Sequence, residues 1–188
     1  MSLRQRVERI GRALTQSTKV MEPCLKEWAV AGFESCFGVQ LPEAYRLFLL
    51  LVGNGGWGPP RDGLANLGEA RDEMGEVKQL WEELPWIREP FPFTARVERR
   101  DWRQGCCGCV YLGGEGCGMQ WRLVVTGPEA GNVWFDDPNA GVVYPASPHR
   151  DFLGWYEAWL ERQAWYLPCE VAREPSPVQS SGAGVIPF

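Results

Sequence analysis

Gly118-Met-Gln-Trp-Arg-Leu-Val-Val-Thr-Gly-Pro-Glu-Ala-Gly-Asn-Val-Trp-Phe135 decides the fold. Met119, Trp121, Leu123 and Val125 alternate with Gln120, Arg122, Val124 and Thr126, the period-two pattern of a half-buried strand. Gly127-Pro-Glu-Ala-Gly131 supplies a turn, and Asn132 to Phe135 returns. Asp137-Pro-Asn-Ala-Gly141 turns again, into Val142 to Tyr144, and a strand from Cys109 to Leu112, closed by Gly113-Gly-Glu-Gly116, comes before. The sum is a four-strand antiparallel meander.

Helical patterns lie on both sides of it. Leu3, Val7, Ile10 and Leu14 form an amphipathic helix with arginines on its wet side. Trp28, Val30, Phe33, Phe37 and Val39 suggest further short helical packing. Pro42 suits a first helical position, and Tyr45 to Val52 is apolar nearly all round, as in a buried helix. Gly53 is expected to cap that helix in a left-handed conformation. Gly68 to Leu84 reads as another helix through Ala70, Met74, Val77, Trp81 and Leu84, with an irregular, proline-broken connection on to Gln104. Ser147-Pro148 is expected to start a last helix whose stripe is Phe152, Trp155, Tyr156, Trp159 and Leu160. The prediction is an α+β fold, a largely antiparallel sheet against several helices, in one domain over 1–172. From Arg173 to Phe188 the chain is rich in Pro, Ser and Gly and reads as a flexible tail.

The 188 residues are enough for a core without disulfide or metal staples. No apolar run reaches the roughly 18 residues a membrane span needs. Met1 to Lys19 carries four arginines but also Glu8, with no hydrophobic region or cleavage site, so it reads as a surface helix and the protein as cytoplasmic. The net charge of −5 disfavours direct nucleic-acid binding and suits a basic protein partner.

Motifs for chemistry are weak. Gly53-Asn-Gly-Gly-Trp-Gly58 satisfies G-x-G-x-x-G, but a helix precedes it and Pro59-Pro60 follows, the reverse of the dinucleotide context. Cys106 and Cys109 form a single C-x2-C beside Cys107 and Cys117. A second pair is missing, and an extended backbone sends Cys106 and Cys109 to opposite faces, so buried thiols are expected rather than zinc. His149, the one histidine, has no orienting partner in the sequence, and Asp136-Asp137 reads as a solvated turn. No catalytic set, metal or cofactor is expected. Among ten tryptophans, Trp121, Trp134, Trp155 and Trp159 fit core positions. Trp57, in a glycine loop, is harder to bury and suits an interface anchor. Trp57, Arg61, Asp62 and Glu115 make the expected partner patch.

Three landmarks occur in order: Leu41-Pro-Glu-Ala-Tyr-Arg-Leu-Phe-Leu-Leu-Leu-Val-Gly-Asn-Gly-Gly-Trp-Gly-Pro59, then Gly118 to Phe135, then Phe152-Leu-Gly-Trp-Tyr-Glu-Ala-Trp-Leu160. Together they resemble the SUKH superfamily of Smi/Knr-like proteins, over roughly Val39 to Trp165. The resemblance implies that Leu41, Pro42, Gly55 and Gly56 form a helix-to-loop signature. It assigns Gly131, Val133 and Trp134 to the central hairpin, and Phe152, Trp155 and Leu160 to the closing helix, all architectural. It also implies a non-enzymatic immunity protein that neutralises a toxin domain by stoichiometric binding, and the acidic balance is compatible with a basic one such as a nuclease. The alternatives are a regulatory interaction module like the family's cell-wall regulators, or a zinc or carbohydrate site.

Overall fold

The computed structural model describes residues 1–17, 19–71, 77–78, 84–98 and 102–168. The predicted tail, and Met74 and Trp81 of the expected fourth helix, lie outside the described residues.

The alternating segment forms β5 (Met119–Val124), paired antiparallel with β4 (Cys109–Gly116) and β6 (Val133–Asp137). β7 (Val142–Tyr144) follows on β6, and β3 (Val97–Glu98) pairs with β7, giving the antiparallel order β3-β7-β6-β5-β4. Among the described residues the sheet therefore has five strands where the pattern predicts four. β3 is two residues long and sits in the irregular connection, too short to leave a periodicity. The stretch Gly113 to Gly116 belongs to β4, with register shifts after Tyr111 and Gly114. The hairpin turns instead at Cys117 and Gly118, whose φ angles of 52° and 77° suit a type I′ turn.

One sheet face carries helices. α1 (Leu3–Gln16) starts with a capping box, the Ser2 hydroxyl accepting from the Gln5 N–H and the Gln5 side chain from the Ser2 N–H. It buries Val7, Ile10 and Leu14. Its wet face is not wholly wet, since Arg6 and Arg9 both donate to Glu157 of α5 (Phe152–Leu160). α3 (Glu43–Leu51) buries Tyr45, Phe48 and Leu49, with Pro42 as its N-cap residue, one position earlier than expected. Gly53 does not take a left-handed conformation. It is needed for space, because a Cβ there would lie 2.7 Å from the Glu22 carbonyl. α5 is capped by Asp151, whose carboxylate accepts from the Gly154 N–H at 3.0 Å. Ser147, the expected cap, is buried and accepts from the His149 N–H.

The three landmarks meet in space. A Cβ on Gly131 would sit 3.9 Å from the Pro42 ring. The Gly131 carbonyl accepts from the Phe152 N–H at 3.1 Å, and the Tyr45 and Phe152 rings meet edge-on at 5.0 Å. Trp121, Trp155 and Phe135 complete this core, with Trp121 centred 5.2 Å from Trp155.

The opposite face is covered too. The chain at Phe91 to Phe93 and α4 (Trp102–Cys106) lie over it, Gly105 of α4 facing Asp136 and Val143, while a 3₁₀ turn at Leu84–Arg88 sends Ile87 into the core under the helices. Phe91 packs edge-on against Trp134 at 4.8 Å, and Cys109, Val124 and Val143 join them. The cover is held by hydrogen bonds from the Phe91 N–H to the Thr126 carbonyl and from the Gly108 N–H to the Trp86 carbonyl. Arg88 reaches back to α2 (Glu27–Phe37), donating to the last carbonyls, Cys36 and Phe37. Consequently β5 is not half-buried: Gln120 and Arg122 are 5% and 7% exposed.

The helix expected over Gly68 to Leu84 is not formed where the chain is described. Ala70–Arg71 (β1) pairs antiparallel with Val77–Lys78 (β2). Gly75 in mid-segment costs a helix about 1 kcal/mol, and β1 lies against β4.

Candidate functional site

The loop after α3 is built from backbone hydrogen bonds. The Gly56 and Leu64 N–H groups each bond the other's carbonyl, at 2.9 and 2.6 Å. On one side, Trp57 N–H donates to the Val20 carbonyl and Glu22 N–H to the Gly55 carbonyl, which brings in the segment between α1 and α2. On the other side, Asp62 and Ala65 donate to the Gly114 and Leu112 carbonyls of β4. Gly56 makes this weave possible. Its φ is +106°, and a Cβ there would lie 2.8 Å from the Met21 Cα.

Over the weave lies a groove of about 600 Å³, whose lining includes Trp57, Arg61, Asp62, Lys19, Glu22 and Tyr111. Three of the four residues expected to bind a partner therefore share one concavity. Trp57 is not an exposed anchor. It is half-buried, its ring centred 4.2 Å from Trp159, and its carbonyl accepts from the Tyr156 hydroxyl at 2.6 Å. It is a wall of the groove, propped by α5. The Lys19 ammonium sits 4.7 Å from the ring centroid.

Glu115 serves the same region from below. Its Oε1 accepts from the Trp121 indole N–H at 2.9 Å and from the Arg61 backbone N–H at 3.2 Å. Burial pushes its carboxyl above the usual range, the two hydrogen bonds opposing the shift, while Asp62 adds to it and Arg61 opposes it. Glu115 ties the loop to the sheet and is not among the residues lining the groove.

Lys19, Glu22, Glu69 and Tyr111 are groove residues that sequence reading misses. Lys19 and Glu22 lie more than thirty positions from the loop and are brought to it by the backbone bridge between Met21 and Gly56, for which side-chain patterns carry no signal. Tyr111 had a readable clue: between Val110 and Leu112 of a strand, it faces away from the helices.

The remaining candidates for chemistry lie in different places, although Cys106 and Cys107 are near enough to Cys109 to act on its thiol. Cys106, Cys107 and Cys109 are buried, and Cys117 is exposed. Burial drives the Cys109 thiol far above its ordinary range, which keeps it protonated. The Cys107 sulfur bonds the Arg103 carbonyl at 3.3 Å. Among the described residues, no group of three or more His, Cys, Asp and Glu side chains is placed to hold a metal. His149 is exposed. Asp137 accepts from the N–H groups of Asn139 and Ala140, as a turn residue does. Asp136, expected in the same solvated turn, is instead 3% exposed and 3.9 Å from Arg122. No helix among the described residues is long and apolar enough to cross a membrane.

Set beside known protein families, curated proteins and solved structures, the chain matches none.

Proposed function

We propose that this is a protein-binding domain of the SUKH immunity type, which neutralises a basic toxin domain by seating part of it in the groove at Trp57. The observation that carries the reading is the convergence of Trp57, Arg61 and Asp62 on one groove. The groove stands on a backbone weave and an α5 prop, so its shape is set before a partner arrives. Preorganisation of this kind lowers the entropic cost of association. The net charge of −5 favours encounter with a basic surface. Further support comes from the spatial meeting of the three sequence landmarks, which explains why they occur together in one chain.

The test is growth rescue. The toxin-like domain encoded beside this gene is expressed with and without the protein. Rescue with co-purification of a stoichiometric pair is expected. Asp62→Lys should slow association about tenfold, as a reversed rim charge does. A neighbouring toxin that kills equally well in the presence of this protein ends the immunity reading.

A further inference from the structure

The Trp57 ring already carries a cation. Lys19 is exposed, yet its ammonium lies over the ring face at 4.7 Å, where the ring quadrupole attracts positive charge. The ring cannot easily turn away, because Trp159 packs on it at 4.2 Å and Tyr156 holds its carbonyl. The groove lining carries three carboxylates, Glu22, Asp62 and Glu69, against two cations, Lys19 and Arg61. Lifting Lys19 off would leave an aromatic face in a groove lined by three carboxylates and one cation. That is the chemistry of a cation receptor with its own side chain as occupant.

We infer that the groove is a seat for a cationic side chain, an arginine of a basic protein partner, and that Lys19 is the internal cation this arginine displaces. Arginine suits the seat better than lysine, since a planar guanidinium stacks on the indole while its N–H fork reaches a carboxylate. The inference rests on the protein-binding reading and names what that binding recognises. The displacement also regulates affinity: while Lys19 holds the ring, the competent fraction is reduced, and apparent binding weakens in proportion.

The probe is acetyl-arginine amide, titrated into the full chain and read by NMR at the Trp57 indole N–H. That signal is identified by its loss in Trp57→Phe. Acetyl-citrulline amide, of the same shape without the charge, is the control. Arginine is expected to move the signal saturably and to bind at least about fivefold tighter than citrulline. Lys19→Gln should tighten arginine binding about threefold by emptying the ring. Arg61→Gln removes the same charge from the groove but leaves the ring occupied, and should tighten it less. Equal binding of citrulline, no saturable movement, or equal gains from the two substitutions would each overturn the seat. The wild-type titrations need no variant to fold. Toxin rescue without arginine binding would sink the seat and leave the immunity reading standing. Arginine binding without rescue would do the reverse.

Discussion

The two faces of the sheet are both buried, but by different means. Under the helices the contacts are aromatic and aliphatic: Trp121, Leu123, Phe135 and Tyr144 meet Phe152, Trp155 and Tyr156. On the other face Val124, Trp134 and Val143 share the interior with Gln120, Arg122 and Asp136, all below 8% exposure. Arg122 donates to Gln120 at 2.7 Å and lies 3.9 Å from Asp136. The first face is held by burial of apolar area. The second combines a modest apolar patch with charged groups whose desolvation must be offset by partners. The lesson is that polarity along a strand reports which face has the weaker apolar drive, not which face meets water.

The comparison breaks most readily at the buried charges. Arg122→Met should cost about 3 kcal/mol by leaving the Asp136 carboxylate buried without its guanidinium. The double substitution Arg122→Met with Asp136→Val should recover most of that loss. Urea unfolding at constant m value measures both. If the double variant is as unstable as the sum of the singles, the pair does not act as a unit.

A smaller effect sharpens the contrast between two buried indoles. The Trp121 N–H donates to Glu115, whereas the Trp134 N–H has no hydrogen-bond partner among the described residues. Both rings are essentially unexposed, so Phe at either site loses similar volume. Trp121→Phe should therefore cost about 1 kcal/mol more than Trp134→Phe. Equal losses would mean that the Glu115 bond contributes nothing net to folding.

The smallest effects are in pH dependence, where two carboxylates pull in opposite senses. Burial raises the Glu157 pKa, but the hydrogen bonds and charges of Arg6 and Arg9 outweigh it and hold the carboxyl below the usual range. A depressed folded pKa gives stability that is present above the unfolded value, about 4.3, and lost as pH falls through the folded one. Glu115, raised by burial, works the other way: the folded state holds its proton longer, so stability falls as pH rises from about 4.3 through the folded pKa. Thermal melts across the acid range should show Glu157→Gln losing part of the stability gained on raising pH from strongly acid values. Glu115→Gln should make that gain larger. Matching profiles for both variants would remove these carboxylates from the acid response.

Much of the fold was legible. The period-two run at Met119 to Val125, the turns at Gly127 and Asp137 and the helical stripes of α1, α3 and α5 appear where their patterns place them. Burial beneath the helices follows the same patterns, because one face of each element is apolar along its whole length. That Trp57, Arg61 and Asp62 share one loop was legible because glycine and proline break the helix there, and the structure adds that they line one groove. Trp28 was misleading: grouped with apolar neighbours, it is 77% exposed on α2.

Local sequence thus determined the long regular elements, strands β4 to β7 and helices α1, α3 and α5, since periodicity and turn chemistry act over a few residues. Tertiary structure alone decided the fifth strand, the covering of the second sheet face and the seating of Lys19 on Trp57. Each joins segments that are distant in the chain, through backbone hydrogen bonds or irregular packing with no repeat. The physical reason is common to all three. A contact between distant segments is set by where the chain passes in space, and only elements with a regular face write that destination into their own residues.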